Sequence, residues 1–335
     1  MTTPTSARSP LLVMGAGAWG TALAVSFARA GQQVLLWGRD EIGMRTMAQT
    51  RENSRYLPGI SLAPLITPIS ALSVLPSTVT TVVLATPLQA TRAVLKLALA
   101  HGLREFVCSA KGIETETCLL VHEIVASEMP EAQAIGIISG PSFAREVAEG
   151  RPTALAIATT QSVFGRELVA RLHSASLRPY LTDDLVGVAV GGAVKNVLAI
   201  AAGIADGLAL GANSRAALIT RGLAEMARFG VALGGRTETF MGLSGLGDLV
   251  LTCTDDQSRN RRFGLALGHG MTAADAARAT GLVEGMPTAA AVIARAQHCA
   301  VDLPICAQVA RTLHGDCTPA EAVRALMTRD LPAGD

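Results

Sequence analysis

Apolar and polar residues follow two different patterns along the chain, and the pattern changes near residue 185. Before that point, short apolar runs rich in β-branched residues alternate with helical segments and turn residues. Such runs are typical of buried parallel strands. The predicted strands are Leu11–Met14, Gln33–Trp37, Val79–Ala85, Phe106–Ser109, Ala134–Ser139 and Thr153–Ala158, and the predicted helices are Thr21–Ala30, Thr91–Ala100 and Phe143–Ala148. The segment Leu177–Asp184 is expected to lead out of the sheet, and Ser142 is expected to cap the helix Phe143–Ala148. The alternation predicts an α/β domain with a parallel sheet.

From Leu185 onward the spacing of apolar residues is helical, and breaks containing Gly or Pro separate the segments. The helices expected there include Ser214–Phe229, Ala273–Thr280, Pro287–Ala300 and Thr318–Met327. We therefore predict two domains, the first at residues 11–184 and an all-α second domain at residues 185–330. Residues 1–10 lack the apolar region of a signal peptide and are predicted to be a disordered tail.

A glycine-rich turn follows the first predicted strand, where the chain has the sequence GAGAWG. Gly15 permits a tight turn, Gly17 lets backbone approach a pyrophosphate, and Gly20 lets the next helix pack on the strand. The helix N-terminus then presents N–H groups to phosphate. With a strand before it and a helix after it, this motif predicts a Rossmann-type, dinucleotide-binding domain.

The end of the second predicted strand bears on the choice of dinucleotide. NAD-binding folds usually carry an acidic residue there for the ribose 2′-hydroxyl, whereas an arginine can accept a 2′-phosphate. Arg39 occupies that position, which favours NADPH, and Asp40, one residue later, remains compatible with NAD. A solvated loop charge is the plain alternative for Arg39.

Lys195 is the only ionisable residue in the long apolar stretch from Leu185 to Ala205. A membrane span is one interpretation, but a central lysine costs roughly 2.5–3.5 kcal/mol on insertion scales and no aromatic belt flanks the stretch. A core helix whose lysine extends to the surface along its own stem is the second. The third is a lysine that faces a cleft, with a pKa set by burial and neighbouring charges.

Two further groups of polar residues can supply chemistry. Lys111 follows the strand Phe106–Ser109, at the strand end where ligands of such sheets bind. The stretch from Gly242 to Gly264 combines glycines with Asp248 and then with an RNRR cluster, in which a guanidinium can grip a phosphate through two oxygens. Solvated surface charges are the alternative in both cases, and RNA binding is disfavoured because no aromatic platform accompanies the arginines.

Composition narrows the class of protein further. The 335 residues are 50% apolar but only 3% aromatic, and the formal net charge is +1. Such a charge provides no general attraction to nucleic acid or to a membrane surface. The six cysteines form no CxxC pair and the six histidines no HxxxH, so neither a disulfide framework nor a metal site is expected. Scattered thiols of this kind indicate a reduced, cytoplasmic protein.

Four motifs together closely resemble the bacterial type of NAD(P)-dependent glycerol-3-phosphate dehydrogenase. These are GAGAWG, SGPSFAREVA from Ser139, GGAVKN from Gly191, and GLSGLGDLVLTCTDDQSRNRRFG from Gly242. The resemblance runs from about Leu11 to Leu326. It implies a Rossmann-type domain followed by an all-helical domain, with the active site in the cleft between them. It also implies reversible reduction of dihydroxyacetone phosphate to sn-glycerol 3-phosphate, which supplies glycerophospholipid synthesis in the cytoplasm.

The resemblance also implies roles for individual residues. Lys195 would be the general acid/base, and Asp248 would orient it. Lys111 would be a second active-site lysine. The substrate would contact Lys111, Gly140, Ser142, Lys195, Asn196, Asp248, Thr252, Ser258, Arg259 and Asn260. NADPH or NADH would contact Gly15, Gly17, Ala18, Trp19, Gly20, Arg39, Lys111, Ala144, Arg259, Leu282 and Glu284. No metal is implied, and a homodimer is expected.

The chain departs from the family pattern in three places. Ala18-Trp19 stands where Ser-Tyr or Ser-Phe is common, Thr86-Pro87 replaces Val-Pro, and Arg39 replaces a common His. Two other functions stay open at this point. One is a related dehydrogenase of another hydroxy acid or phosphorylated ketone, and the other is a nucleotide-binding sensor without turnover.

Overall fold

A computed structural model describes residues 9–130 and 134–328, so most of the predicted N-terminal tail lies outside the described residues. The chain divides into two compact units. The first runs to Ala110 and resumes at Val121–Leu185, and the second combines Lys111–Leu120 with the chain from Val186 onward. The segment Lys111–Leu120, which the sequence assigned to the first domain, thus belongs to the second unit.

The first unit is built on an eight-stranded sheet, counted over its described residues, with the order β3-β2-β1-β4-β5-β6-β7-β8. The strands are β1 Leu11–Met14, β2 Val34–Trp37, β3 Ile66–Ile69, β4 Thr81–Leu84, β5 Glu105–Cys108, β6 Ala134–Ser139, β7 Thr153–Ala158 and β8 Leu177–Thr182. Neighbouring strands are parallel except β6 and β7. β1 and β4 are buried along their whole length, as expected for strands covered on both faces. The predicted Rossmann-type class is confirmed.

Six helices follow these strands within the described part of the first unit. They are α1 Ala18–Arg29, α2 Glu41–Thr50, α3 Leu88–Ala100, α4 Val121–Glu128, α5 Ala144–Glu149 and α6 Ser162–Leu172. The sequence pattern did not indicate α2, α4, α6 or β3. These elements are short or largely exposed, and exposed helices with few apolar residues give a weak periodic signal.

Two local expectations in the first unit were wrong. Leu177–Thr182 does not leave the sheet but forms its edge strand β8, parallel to β7. Its alternation of buried and exposed residues fits a strand with one solvent-facing side. Ser142 does not cap α5, because Phe143 is the N-cap residue and the Ser142 hydroxyl donates to the Gly140 carbonyl at 2.9 Å.

The second unit is helical, as predicted, apart from an isolated bridge between Ile113 and Leu120 in its described residues. Its central helix is α7, Leu185–Gly207. The others are α8 Gly211–Ala232, α9 Thr237–Met241, α10 Asp248–Thr254, α11 Arg259–Gly268, α12 Ala273–Thr280, α13 Gly285–His298, α14 Pro304–His314 and α15 Pro319–Met327, with a π-helical turn at Leu243–Gly247. By length and composition α7 could cross a membrane, yet 89% of its most apolar window is buried inside the protein. It is a core helix.

Glycines bring α7 and α11 into backbone contact. A Cβ on Gly203 would lie 2.0 Å from the Arg261 carbonyl oxygen, and a Cβ on Gly264 would lie 2.0 Å from that of Ile200. Gly207 and Gly268 meet in the same way one turn further along. This contact fixes the start of α11, where Arg259 and Asn260 lie, against the helix that carries Lys195.

Candidate active site

Lys195 lies in the interior of the second unit, with only 7% of its surface exposed. Its ammonium donates to Asp248 Oδ1 at 2.5 Å and to Thr252 Oγ1 at 2.9 Å. The Lys111 ammonium donates to the other carboxylate oxygen of Asp248 at 2.6 Å. The side chain of Lys195 therefore does not extend to the surface, and one buried carboxylate holds two lysines.

The charges in this cluster shift the pKa values of its members. Burial lowers the pKa of Lys195 to about 8, and repulsion by Lys111 lowers it as well, although Asp248 opposes both. Burial alone would raise the pKa of Asp248, but Lys111 and Lys195 outweigh it and lower that pKa. Lys195 thus gains and loses a proton near neutral pH, while Asp248 stays ionised.

A chain of amide hydrogen bonds runs beside the lysine and determines how Asn196 is oriented. The backbone N–H of Gly285 donates to Asn260 Oδ1 at 2.9 Å, so the Asn260 amino group must face the other way. That group donates to Asn196 Oδ1 at 3.0 Å. Asn196 Nδ2 is buried and has no hydrogen-bond partner in the described structure. A buried donor without a partner is costly, so a ligand that accepts from it is favoured.

The arginines of the RNRR cluster have separate tasks. Arg261 binds Asp206 through Nη2 at 2.6 Å and Nε at 3.1 Å, and it also pairs with Asp256. Arg262 donates to the Asp256 carbonyl at 2.8 Å. Arg259 is exposed and makes no ion pair or hydrogen bond with a described residue, which leaves its guanidinium available for a ligand.

Three other predicted residues of the second unit differ in their surroundings. The Ser258 hydroxyl caps α11 by accepting from Arg261 N at 3.2 Å. Burial raises the pKa of Glu284, and the positive charges of Arg259, Lys111 and Lys195 act against that rise. The Glu284 carboxyl therefore lies within the electrostatic reach of all three cations. Leu282, two residues earlier, is half exposed.

The glycine-rich turn of the first unit has the geometry that the motif predicts. Gly15 has a φ of +124°, which favours glycine, and a Cβ on Gly20 would lie 1.8 Å from the Gly15 carbonyl oxygen. Gly17 is the N-cap of α1, and no side chain caps that helix. The N–H groups of its first turn, at Ala18 and Trp19, are therefore open to an anion.

Arg39 and Asp40 follow β2 and differ in their surroundings. Asp40 caps α2 by accepting from Gly43 N at 3.0 Å, and Arg55 lies 3.8 Å from its carboxylate. Arg39 is exposed and makes no such contact with a described residue. Asp40 therefore already has a structural task, whereas Arg39 is free to bind a ligand.

Gly140, Ser142 and Ala144 lie in one stretch at the end of β6 and the start of α5. Gly140 has a φ of +143°, and a Cβ there would lie 3.0 Å from Leu155 Cα. The structure thus gathers Lys111, Lys195, Asn196, Asp248, Thr252 and the residues of α11 in the second unit. Gly140, Ser142, Ala144, Arg39 and the glycine-rich turn lie in the first.

Several residues that hold this arrangement together were not indicated by the sequence pattern. Asp206 fixes Arg261, and the Gly285 N–H fixes the two asparagine amides. The partners lie 55 and 25 residues apart in the chain, so no local spacing indicates them. A lone aspartate at the end of an apolar helix was the only available signal for the first.

A Rossmann-type fold with a glycine-rich turn, combined with a buried lysine held by a carboxylate, is typical of a nicotinamide-dependent oxidoreductase. The family profiles for the N-terminal and C-terminal parts of NAD-dependent glycerol-3-phosphate dehydrogenase match residues 10–164 and 184–324. The chain belongs to this family. No group of three or more His, Cys, Asp or Glu residues that could hold a metal occurs among the described residues.

Two curated relatives and one crystal structure illustrate the similarity. Glycerol-3-phosphate dehydrogenase [NAD(P)+] of Thioalkalivibrio sulfidiphilus is 50% identical over 326 residues, 96% of this chain and 98% of the relative. The enzyme of that name from Variovorax paradoxus is 51% identical over 330 residues, 96% of this chain and 97% of the relative. The crystal structure of glycerol-3-phosphate dehydrogenase from Coxiella burnetii is 44% identical, with a TM-score of 0.92 and coverage of 96% and 99%.

Proposed function

We propose that this protein is an NAD(P)-dependent glycerol-3-phosphate dehydrogenase, which reversibly reduces dihydroxyacetone phosphate to sn-glycerol 3-phosphate. The observation that carries the proposal is the buried cluster of Lys195, Asp248 and Lys111 beside an unpaired amide donor of Asn196. The relatives do not favour a dehydrogenase of another hydroxy acid or a sensor without turnover. The reaction supplies glycerophospholipid synthesis.

The cluster is suited to protonate a ketone oxygen as it becomes negative. A reduced nicotinamide supplies the hydride to the carbonyl carbon when the cofactor is bound. Lys195 delivers the proton to the oxygen, and its pKa of about 8 lets it hold that proton at neutral pH and release it readily. Two ammonium groups against one carboxylate leave a net positive charge, which stabilises the developing oxyanion.

The substrate is held by donors whose protein partners are missing or few. Arg259 pairs with the phosphate through its unoccupied guanidinium, and Asn196 Nδ2 donates to a substrate oxygen. Asn260 acts on the substrate through Asn196, and Thr252 holds Lys195 in place. Gly140, Ser142 and Ser258 complete the proposed substrate contacts.

The residues of the first unit fit a dinucleotide. The uncapped start of α1 and the side-chain-free turn at Gly15, Gly17 and Gly20 suit a pyrophosphate. Further cofactor contacts are proposed at Ala18, Trp19, Lys111, Ala144, Arg259, Leu282 and Glu284. NADPH is favoured over NADH, because the exposed Arg39 can pair with a 2′-phosphate whereas Asp40 is engaged as a helix cap.

Three broader statements belong to the same proposal. Residues 11–184, apart from Lys111–Leu120, form the dinucleotide-binding domain, and residues 185–330 together with Lys111–Leu120 form the catalytic domain. The protein acts in the cytoplasm, in keeping with six cysteines that are all free in the structure. It is a homodimer, which size-exclusion chromatography with light scattering will test.

The test of the function is an absorbance assay with NADPH and dihydroxyacetone phosphate, followed by the Arg259→Ala variant. That variant should lose about 30-fold or more in kcat/KM for the phosphorylated ketone and little for dihydroxyacetone, as for truncating one partner of a charge-assisted pair. Arg262→Ala is the control, because it removes an arginine of the same cluster that donates to the Asp256 carbonyl and has no proposed contact with the substrate. NADPH affinity is measured separately. Equal losses for both ketones at saturating NADPH would contradict the phosphate role.

A further inference from the structure

Asn53 is a buried residue that touches the glycine-rich turn from a distant part of the sequence. It is 3% exposed, and its Nδ2 donates to the Ala16 carbonyl at 3.0 Å and to Thr21 Oγ1 at 2.7 Å. Its Oδ1 accepts from Tyr56 N at 3.3 Å. Both ends of the amide are therefore hydrogen-bonded, and the amino group links the glycine-rich turn at Ala16 to α1 at Thr21.

The loop at residues 51–62, which follows α2 and contains Asn53, is a closed and anchored segment. Leu62 N donates to the Arg51 carbonyl at 2.8 Å, and Glu52 forms a bridge with Ser61. Leu57, near its middle, is packed with Ala22 of α1. Because the 51–62 loop is fixed at its base and against α1, Asn53 cannot follow the turn if the turn moves.

The hydrogen bond to Ala16 determines the direction of an N–H group in the turn. The peptide between Ala16 and Gly17 is planar and trans, so its carbonyl and its N–H point in opposite directions. With the Ala16 carbonyl drawn toward Asn53, the Gly17 N–H points away from the 51–62 loop. Gly17 is also the uncapped N-cap of α1, where an anion is favoured.

We infer that Asn53 is a positioning residue for the dinucleotide pyrophosphate: it holds the Ala16–Gly17 peptide with its N–H toward the phosphate and its carbonyl away. Without this bond the peptide can turn, and a carbonyl oxygen then faces an anion. The inference rests on the proposed dinucleotide site but not on the identity of the ketone. Both NADPH and NADH contain the pyrophosphate, so both depend on Asn53.

The experiment titrates the intact protein with NADPH and with NADH in the absence of ketone, following the fluorescence of Trp19 and Trp37. Asn53→Leu removes both donors without adding charge, and Asn53→Asp replaces a donor with an acceptor facing Ala16. Each variant should raise Kd about 10- to 100-fold for both cofactors, the range expected when a buried hydrogen-bonding group loses its partner. Gln49→Glu, an exposed change on α2, is the control for added charge and should bind as the unaltered protein does.

Thr21→Val separates positioning from stability. It removes the second partner of Asn53 and keeps the bond to Ala16, so it should lower Tm yet leave Kd within about twofold. The inference is overturned if Asn53→Leu folds and binds normally, or if Thr21→Val weakens binding as much as Asn53→Leu. If the unaltered protein binds NADPH but does not reduce dihydroxyacetone phosphate, the proposed function fails while this inference stands.

Discussion

The glycine-rich turn of the first unit and the lysine cluster of the second present positive charge by opposite means. The turn offers backbone N–H groups at a helix start and depends on the absence of side chains at Gly15 and Gly20. The cluster offers ammonium groups and depends on burial, since Lys195 and Asp248 are 7% and 1% exposed. The first holds a permanent, partial positive charge, whereas the charge of the second varies with pH.

This difference predicts which substitutions each region should accept. Ala18 and Trp19 stand where the family commonly has other residues, and a backbone N–H is the same whatever side chain it carries. In the cluster, the contacts are made by Nζ, Oδ1 and Oδ2 atoms, so a change of residue type changes the chemistry. Backbone sites therefore tolerate variation in sequence that side-chain sites do not.

The largest expected effect is a loss of turnover when the lysine of the second unit's cluster is removed. Lys195→Ala should lower turnover about 10²- to 10⁴-fold, because the proton donor is lost, while the affinity for NADPH stays unchanged. The measurement is steady-state kinetics combined with a cofactor titration. Lys96→Ala, at an exposed lysine that pairs with Glu128, is the matched control and should be as active as the unaltered protein. Turnover within about tenfold of normal in Lys195→Ala would refute the catalytic role.

Gly20→Ala and Gly17→Ala separate the two uses of glycine in the turn. Gly20→Ala should lower Tm and abolish cofactor binding, because its Cβ would lie 1.8 Å from the Gly15 carbonyl oxygen. Gly17 has a φ of −78°, and nothing lies within 4 Å of the position that a Cβ would take. Gly17→Ala should therefore keep the Tm of the unaltered protein and lower only the affinity for NADPH, about tenfold. Thermal unfolding and titration check both. A normal NADPH affinity in Gly17→Ala would show that the pyrophosphate does not approach there.

The pH dependence distinguishes the variable charge from the permanent one. Reduction needs the protonated Lys195, so kcat should fall as pH rises through about 8, and glycerol 3-phosphate oxidation, which needs the neutral amine, should rise over the same interval. Asp248 raises the pKa of Lys195, so Asp248→Asn should move the midpoint to lower pH. Asp256→Asn, at an exposed aspartate of the same unit, should leave it in place. A midpoint that moved upward in Asp248→Asn would contradict the arrangement of charges.

The smallest effect on cofactor binding is expected at Arg39, a side chain in a proposed cofactor site that otherwise relies on backbone N–H groups. Arg39→Ala should lower the affinity for NADPH about tenfold more than the affinity for NADH, because only NADPH has a 2′-phosphate with which the guanidinium can pair. The ratio of the two Kd values is the measurement, and Arg45→Ala, an exposed arginine on α2, is the control. Equal losses would mean that Arg39 contacts another part of the cofactor.

Local patterns predicted the fold well where the signal was continuous. The bounds of β1, β6, β7 and α12 agree with those expected from the sequence. The helix α14 was missed, although Pro304 at its start and Gly315 after its end are ordinary boundary signals. Its first N–H groups are capped by Glu225, 80 residues away, which no local pattern reveals.

The site was predictable in part for the same reason. The turn at Gly15–Gly20 is encoded within six residues, so spacing alone indicates it. Lys195 stood out as a charge in an apolar stretch, but its surroundings depend on Asp248, 53 residues further along. Arg261 is held by Asp206, 55 residues away, which only the fold brings near, whereas Arg262 donates to Asp256, six residues earlier.

The backbone contact between α7 and α11 also limits how this protein can evolve. At Gly203 and Gly264 even a methyl group would lie 2.0 Å from a carbonyl oxygen, so no series of gradually larger residues leads away from the present packing. Single substitutions at either glycine therefore cannot be accommodated without moving the two helices apart. New substrate preferences have to arise by exchanging side chains on helices whose relative position stays fixed.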